Sequence, residues 1–419
     1  MRIAVFTNQF PGPVSTFFAR DMRGLLEAGV ELDIFSFYPL EPRLWQYVPD
    51  ILNESVLPKT KIHHISFTQS LRSAGPWPLR NAVAFLRDTA AVSASAARSG
   101  VEPLAKSIYV SLKAWTLSKQ YAADYDHILA YWGNYAATCA YIFHRLKAEG
   151  IPYSMFLHAG IDLYKHSVYM REKLLYADNI ITCSEFNREF MRRHYPDIFP
   201  ELSDKIYVHH HGLDLAEYRF EQNSRPPRKI IAVGRPDKQK GFEYLLRATP
   251  ELTSRGLDID IEFVGPGEEA ESLKSLTHEL NISEKVRFRG WLLPEEVRSA
   301  IRQASVLAHP SSELWDGVPN VIKEAMALGT PVVASNLAGI PELLGNGENG
   351  ILVPPKDVKA LADAIEMLLR NDALRRRYAD AARRHAEEKF DYRRNGRRLA
   401  NILHSTSRRN TPGQLVPCK

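Results

Sequence analysis

One rhythm governs this chain: a short apolar run, a turn rich in Gly or Pro, a helical stretch, and another apolar run. Ile3–Phe6 leads into a Pro/Gly loop, then a helix from about Ser15 to Ala28 ended by Gly29, then the apolar run Glu31–Phe37. Strands joined through a helix must run parallel, since a tight turn only reverses the chain. The opening segment therefore predicts a doubly wound α/β domain. Strand-like runs resume at His127–Ala130, Tyr153–Leu157, Asn179–Cys183 and Ile206–His209. Between about 69 and 121 the composition turns to Ala, Leu and Ser, punctuated by Pro76, Pro78 and Pro103, which predicts a helical insert.

The polar, Pro-rich segment NSRPPR at 223–228 reads as a linker, and the same rhythm restarts beyond it. Strands are expected at Lys229–Val233, Ile259–Val264, Val286–Phe288, Val306–Ala308, Pro331–Ala334 and Ile351–Val353, alternating with helices such as Phe242–Thr249, Val321–Leu328 and Val358–Leu369. The expected division is a first Rossmann-like domain over 1–222, a second over 229–373, and a C-terminal helix with a basic tail over 374–419. At 419 residues, two domains suit the chain better than one core. With ligands favouring the carboxyl ends of parallel strands, a cleft faced by both domains is the expected binding place.

Charge is nearly balanced, 54 basic against 49 acidic residues, but the last stretch from 371 holds 13 basic and 5 acidic ones. Aromatic residues are sparse among those arginines, so a nucleic-acid role ranks last. Arg383, Arg384, Arg393, Arg394, Arg397 and Arg398 are expected to form a solvated or membrane-facing surface. Cys139, Cys183 and Cys418 are too scattered for a disulfide framework, which suits a reducing, cytoplasmic compartment. No run of about twenty uncharged apolar residues occurs, so any membrane contact is expected to be peripheral.

The segment HPSSELWDGVPNVIKEAMALGTPVVAS, 309–335, concentrates the chemistry. Seven residues separate Asp316 from Glu324, and a loop with Gly317 precedes a helix starting near Asn320. Backbone donors and the positive helix end there would face an anion. Glu324 can accept hydrogen bonds from vicinal sugar hydroxyls. An acid that merely complements a helix dipole is the plainer alternative. Arg235 and Lys240 flank a loop after a strand end and, taken alone, read equally as surface cations. Gly265 and Gly267 suit a turn or the close approach of a nucleotide. His209, His210 and His211 suggest a metal at first, but successive strand residues face opposite ways, so no metal site is assigned.

Residues 309–335 resemble the signature of family 4 glycosyltransferases, retaining enzymes of the two-domain GT-B architecture. So do IIAVGRPDKQKGFEYLLRA at 230–248, FVGPGEE at 263–269, VRFRGWLLPEEV at 286–297, HHGLDLAEY at 210–218, FPGPVSTFFARDM at 10–22, FLHAGIDLY at 156–164 and ITCSEFNREFM at 181–191. The resemblance implies that Arg235 and Lys240 clamp the donor diphosphate, and that the first acid of the pair, here Asp316 where Glu is usual, serves the donor sugar. It makes Glu324 the partner of the nucleotide ribose and puts His158 against the sugar near the reacting carbon. Gly12, Gly234, Gly265, Trp291, Leu292, Gly317, Val318, Pro319, Asn320 and Val321 are implied donor-binding positions. Glu313 is a less well-spaced substitute for Asp316, and Asp162 is read as orienting the His158 loop, approaching the acceptor or capping a helix.

The implied reaction moves a hexose from a nucleotide-diphosphate sugar, UDP- or GDP-linked, to a hydroxyl of a glycan or polyprenyl-diphosphate-linked glycan in bacterial exopolysaccharide, capsule or O-antigen assembly. It needs no metal or other cofactor, and it retains configuration by a front-face route in which the departing phosphate helps deprotonate the acceptor. The other reading is a binding protein of the same fold that takes sugar nucleotides or carbohydrates without turnover, favoured by Asp316 and by the missing acid in the Val14–Phe17 segment.

Overall fold

The computed structural model describes residues 1–10, 16–38, 61–72, 79–121, 125–147, 150–165, 168–220 and 228–409. The chain divides into two compact units, one of Met1–Gly212 with Tyr392–Lys419, the other of Leu213–Asp391. The expected linker at 223–228 lies outside the described residues apart from Arg228. The second unit thus begins ahead of that segment, at Leu213, and it also takes in the helix Asp372–Lys389.

In the first unit the strands are β1 Arg2–Thr7, β2 Glu31–Ser36, β3 Ile62–His63, β4 His127–Ala130, β5 Tyr153–Leu157, β6 Asn179–Thr182 and β7 Ile206–Val208. They form a parallel sheet ordered β3-β2-β1-β4-β5-β6-β7. The strands β4, β5 and β6 are buried along their whole length. Such strands need helices on both faces, which is why they read as continuous apolar runs. The insert forms the helices Phe67–Arg72, Leu79–Ala97 and Val101–Gln120. Val92, Val110, Ala114 and Trp115 carry two of them into the same core as Phe6, Phe35 and Ile128.

The second unit's strands are β8 Lys229–Val233, β9 Asp260–Val264, β10 Val286–Phe288, β11 Val306–His309, β12 Val332–Ser335 and β13 Ile351–Val353. They too are parallel, in the order β10-β9-β8-β11-β12-β13. The strand order reverses between β1 and β4 in one sheet and between β8 and β11 in the other. Loops that leave a sheet at such a reversal diverge and open a crevice at the carboxyl ends.

The expected C-terminal helix is two helices. Asp372–Lys389 packs through Ala382 and Ala386 into the core that holds Ala325 and Met326 of the helix Asn320–Leu328. Its Arg383 is not a solvated or membrane-facing cation, as the sequence reading had it. Arg383 Nη1 donates to the carbonyls of Ala327 at 2.6 Å and Tyr218 at 2.7 Å, satisfying a helix C-terminus. Arg384, Arg393, Arg394, Arg397 and Arg398 are exposed, although Arg393 pairs with Glu27 at 3.2 Å. No helix among the described residues is long and apolar enough to cross a membrane.

The second of these helices, Tyr392–Arg409, returns to the first unit and crosses the helix Thr16–Glu27. The crossing is a backbone contact: a Cβ on Gly396 would lie 2.4 Å from the Cα of Gly24, closer than side chains allow. Tyr392 donates to Glu27 at 2.7 Å and Asn395 to the His210 carbonyl at 2.8 Å. A Gly396→Val variant must push the helices apart, and overpacking of this kind costs about 1–3 kcal/mol. Calorimetry should show the first unit's melting temperature lowered by about 2–12 °C. An unchanged melting temperature would refute the close crossing.

Candidate functional site

The loops that follow β8 and β11 flank the strand reversal of the second sheet. Asp237 caps the 3₁₀ turn Lys238–Lys240, its Oδ1 accepting the N–H groups of Gln239 at 3.1 Å and Lys240 at 3.2 Å. The β11 loop is tied to this turn: Ser312 Oγ donates to the Lys238 carbonyl at 2.7 Å, and Ser312 N to that of Gln239 at 2.8 Å. Lys240 and Asp316, which sequence places 76 residues apart, are thereby joined as an ion pair through Nζ and Oδ1. The other carboxylate oxygen accepts from His309 Nε2 and Ser311 Oγ, each at 2.5 Å.

Burial alone would raise the Asp316 pKa, but the Lys240 charge and the His309 contacts outweigh it and hold the acid well below the ordinary carboxylate range. Burial pushes His309 downward, against the pull of Asp316. The result is an ionised carboxylate beside a neutral imidazole and a cation, with side-chain exposures of 12% for Asp316 and 17% for Lys240. Both remain reachable from solvent. Glu313 is no substitute for Asp316, because it points outward and pairs with exposed Lys356 at 3.0 Å.

Apart from Gly12, the remaining implied donor positions belong to the same unit. Arg235 is largely exposed and leans on Asp237 at 3.2 Å. Gly265, at φ +127°, leaves no room for a side chain, since a Cβ there would meet the Gly234 carbonyl at 2.1 Å. Packing of one strand-end loop on the next is thus sufficient reason for Gly265, whereas Gly234, at φ +151°, faces the Lys240 side chain, whose Cε would lie 3.2 Å from a Cβ there. Trp291 is 55% exposed, which removes the alternative of a core tryptophan, whereas Leu292, Val318 and Val321 are half-buried against the core. Gly317 and Pro319 are buried. Asn320 begins the helix Asn320–Leu328, and its Oδ1 is buried without a hydrogen-bond partner among the described residues. Glu324, one turn on, accepts from Tyr218 Oη at 3.2 Å.

His158 follows β5 in the first unit and is 7% exposed. Asp162 orients its loop, accepting the N–H of His158 at 2.8 Å through Oδ2 and that of Asn134 at 3.1 Å through Oδ1. Beneath Asn134 lies the fully buried Lys173, whose Nζ donates to the Gly133 carbonyl at 2.7 Å and whose pKa burial lowers to about 7. Gly12 lies outside the described residues. The three histidines follow the end of β7 and face different ways: His209 and His211 approach Asp21, while His210 Nδ1 donates to the Cys183 carbonyl at 3.1 Å. No group of three or more His, Cys, Asp or Glu among the described residues is arranged to hold a metal ion. Sequence reasoning missed His309, Ser311 and Asp21, although the first two stand inside the motif it singled out.

Residues 215–385 match the family model of Glycosyl transferases group 1. Over 165 residues the chain is 40% identical to D-inositol 3-phosphate glycosyltransferase of Corynebacterium diphtheriae, covering 38% of each chain. It is 29% identical over 210 residues to the putative colanic acid biosynthesis glycosyltransferase WcaL of Salmonella typhimurium, covering 48% of this chain and 52% of that one. The match thus spans about half or less of the length of these curated relatives. Among solved structures, Anabaena HepE in complex with UDP aligns over 96% of this chain and 99% of its own, at 18% identity and a TM-score of 0.67. Sucrose-phosphate synthase from Thermosynechococcus elongatus aligns over 97% and 98%, at 19% identity and a TM-score of 0.69. These likenesses bear out the resemblance to glycosyltransferases and the two-sheet α/β fold.

Removing the Asp316 charge leaves Lys240 without its partner, so Asp316→Asn should destabilise the second unit by about 2 kcal/mol at neutral pH. The folded value of the acid is depressed, so this contribution is complete above about pH 4 and fades as pH falls further. Melting curves of both proteins from pH 7 to pH 3 should converge at the acid end. A gap that widens toward acid would contradict the pairing.

Proposed function

We propose that this chain, whose residues 215–385 carry group 1 glycosyl transferase sequence, is a retaining glycosyltransferase that moves a hexose from a nucleotide-diphosphate sugar to a hydroxyl of a glycan or lipid-linked glycan. The observation that carries the reading is the Lys240–Asp316 pair at the strand reversal of the second sheet. A donor brings both partners those side chains want, phosphate oxygens for the cation and sugar hydroxyls for the carboxylate. Binding then exchanges one internal ion pair for two contacts with ligand, and Lys240 is released to face the diphosphate, with exposed Arg235 as the second cation. A departing nucleoside diphosphate gains negative charge as the glycosidic bond breaks, and fixed cations stabilise that change more than they stabilise the ground state.

Glu324 would serve the ribose, and Asn320 and Trp291 the base and phosphates. The second unit binds the donor, while the first serves the acceptor and supplies His158. A double displacement needs a carboxylate nucleophile. The acids around His158 are poor candidates: Asp21 and Asp162 are both 2% exposed, and their oxygens already accept hydrogen bonds from Tyr131 and from backbone N–H groups. A front-face route, with the leaving phosphate as the base, accords better with these occupied acids.

The printed names of the relatives include an inositol-phosphate glycosyltransferase and a colanic acid enzyme, and HepE is seen with UDP. We take from them a UDP- or GDP-sugar donor and a part in cell-surface polysaccharide assembly, on the cytoplasmic side and with peripheral membrane contact through exposed arginines such as Arg397 and Arg398. Thermal-shift titration against UDP-, GDP- and ADP-sugars should give a rise in melting temperature with one nucleotide series. With that donor, Lys240→Ala should lower turnover about 100-fold or more while circular dichroism stays native. The reading fails if none of the three series binds, or if the variant turns over within threefold of the parent.

A further inference from the structure

The first unit buries an acid for which the proposed reaction has no use. Asp21 lies in the helix Thr16–Glu27 and is 2% exposed. Its Oδ2 accepts from Tyr131 Oη at 2.5 Å and stands 2.8 Å from His211 Nδ1, while His209 Nε2 is 3.8 Å from Oδ1. Burial would raise its pKa, but the His211 charge and hydrogen bond, with His209 close by, hold it well below the ordinary range. Asp21 is therefore a carboxylate, and a carboxylate at Nδ1 makes that nitrogen of His211 the protonated one.

What His211 does with the constraint is visible in its neighbours. Its ring lies parallel to that of His158, with centroids 5.0 Å apart and planes 9° apart. Phe156 stacks on both, at 4.7 Å and 13° to His158 and at 5.1 Å and 20° to His211. Phe17, on the same helix as Asp21, closes on His211 at 4.7 Å and on His158 at 5.4 Å. Trp132 covers His158 at 4.4 Å. Neither ring nitrogen of His158 has a hydrogen-bond partner among the described residues. With Asp162 Oδ2 standing 3.5 Å from Nδ1, beyond a good hydrogen bond, the stack is the closer constraint on the orientation of that ring.

We propose that Asp21 is a positioning residue for His158: by fixing the plane and protonated nitrogen of His211, it fixes the ring stack that aims His158. Resting on the reading above, in which His158 meets the donor sugar, this places Asp21 in control of the transfer step without contact to substrate. A buried acid needed only for folding would affect stability alone.

The test uses the full chain and two variants. Asp21→Asn removes the charge at constant shape, and His211→Phe keeps a ring in the stack while cutting the link to the carboxylate. Side-chain ¹⁵N spectra of the histidines should show the His158 resonances displaced in both variants, and this readout does not depend on turnover. With a donor in hand, kcat should fall about 10- to 100-fold, a size typical of residues that orient a ligating histidine, while donor Kd changes less than threefold. Unchanged His158 resonances, or a kcat loss that merely follows the folded fraction, would overturn the proposal. Failure of both variants to fold would likewise assign Asp21 a purely structural part. Absence of transfer by the parent protein would instead strike the proposed function, leaving the spectral comparison to decide the positioning role.

Discussion

A strand that must run parallel to its neighbour can be reached only by crossing over the sheet, and where successive crossovers change direction two loops emerge side by side. That constraint decides where polar chemistry can collect in this protein. In the second unit the reversal lies between β8 and β11, and the two loops bring Lys240 to Asp316. In the first it lies between β1 and β4, where Tyr131 follows β4 and His158 follows the neighbouring β5. Elsewhere the same strands are apolar and covered on both faces. The carboxyl ends are the places where buried charge finds both partners and access to solvent, so the burial cost of an acid can be met by an adjacent cation or imidazole.

Much of this was legible in the chain. Period and punctuation located β4, β5, β8, β10 and β13 at their observed bounds: the inner strands are largely apolar runs that a Gly or polar residue ends, and the edge strands β10 and β13 are short runs between turn residues. The acids of the 309–335 segment were legible for a different reason, their fixed spacing on a loop followed by a helix. Pairing was not. Nothing in a linear pattern says that Lys240 and Asp316 occupy each other, since the contact depends on which strands become neighbours. Asp21 was invisible on the same ground. On a helix face it reads as one more polar residue, and its significance comes from the three rings that the end of β4 and the 209–211 segment bring to it.

The basic C-terminal stretch shows the limit of counting charge. Arg375 and Arg383 lie in a run that composition marks as surface, yet Arg375 donates to the carbonyls of Leu368 and Leu369, and Arg383 to that of Ala327. A guanidinium carries five donors, and the frayed carbonyls of a helix end are among the few buried acceptors able to use several. An arginine can therefore be retained for a helix terminus even where its neighbours at Arg397 and Arg398 are left to solvent.

The backbone contact of Gly24 with Gly396 also bears on how such a chain is made. The first unit's helix Thr16–Glu27 buries Met22 and Leu25, and the helix that lies on it begins only at Tyr392. Between the two, the ribosome must deliver the whole of the second unit. During synthesis the earlier-made helix Thr16–Glu27 therefore waits without the helix that covers it, while the later-begun unit already has all of its strands in hand. The order of completion is the reverse of the order of translation, and exposed apolar surface of that duration is the state in which nascent chains depend on chaperones.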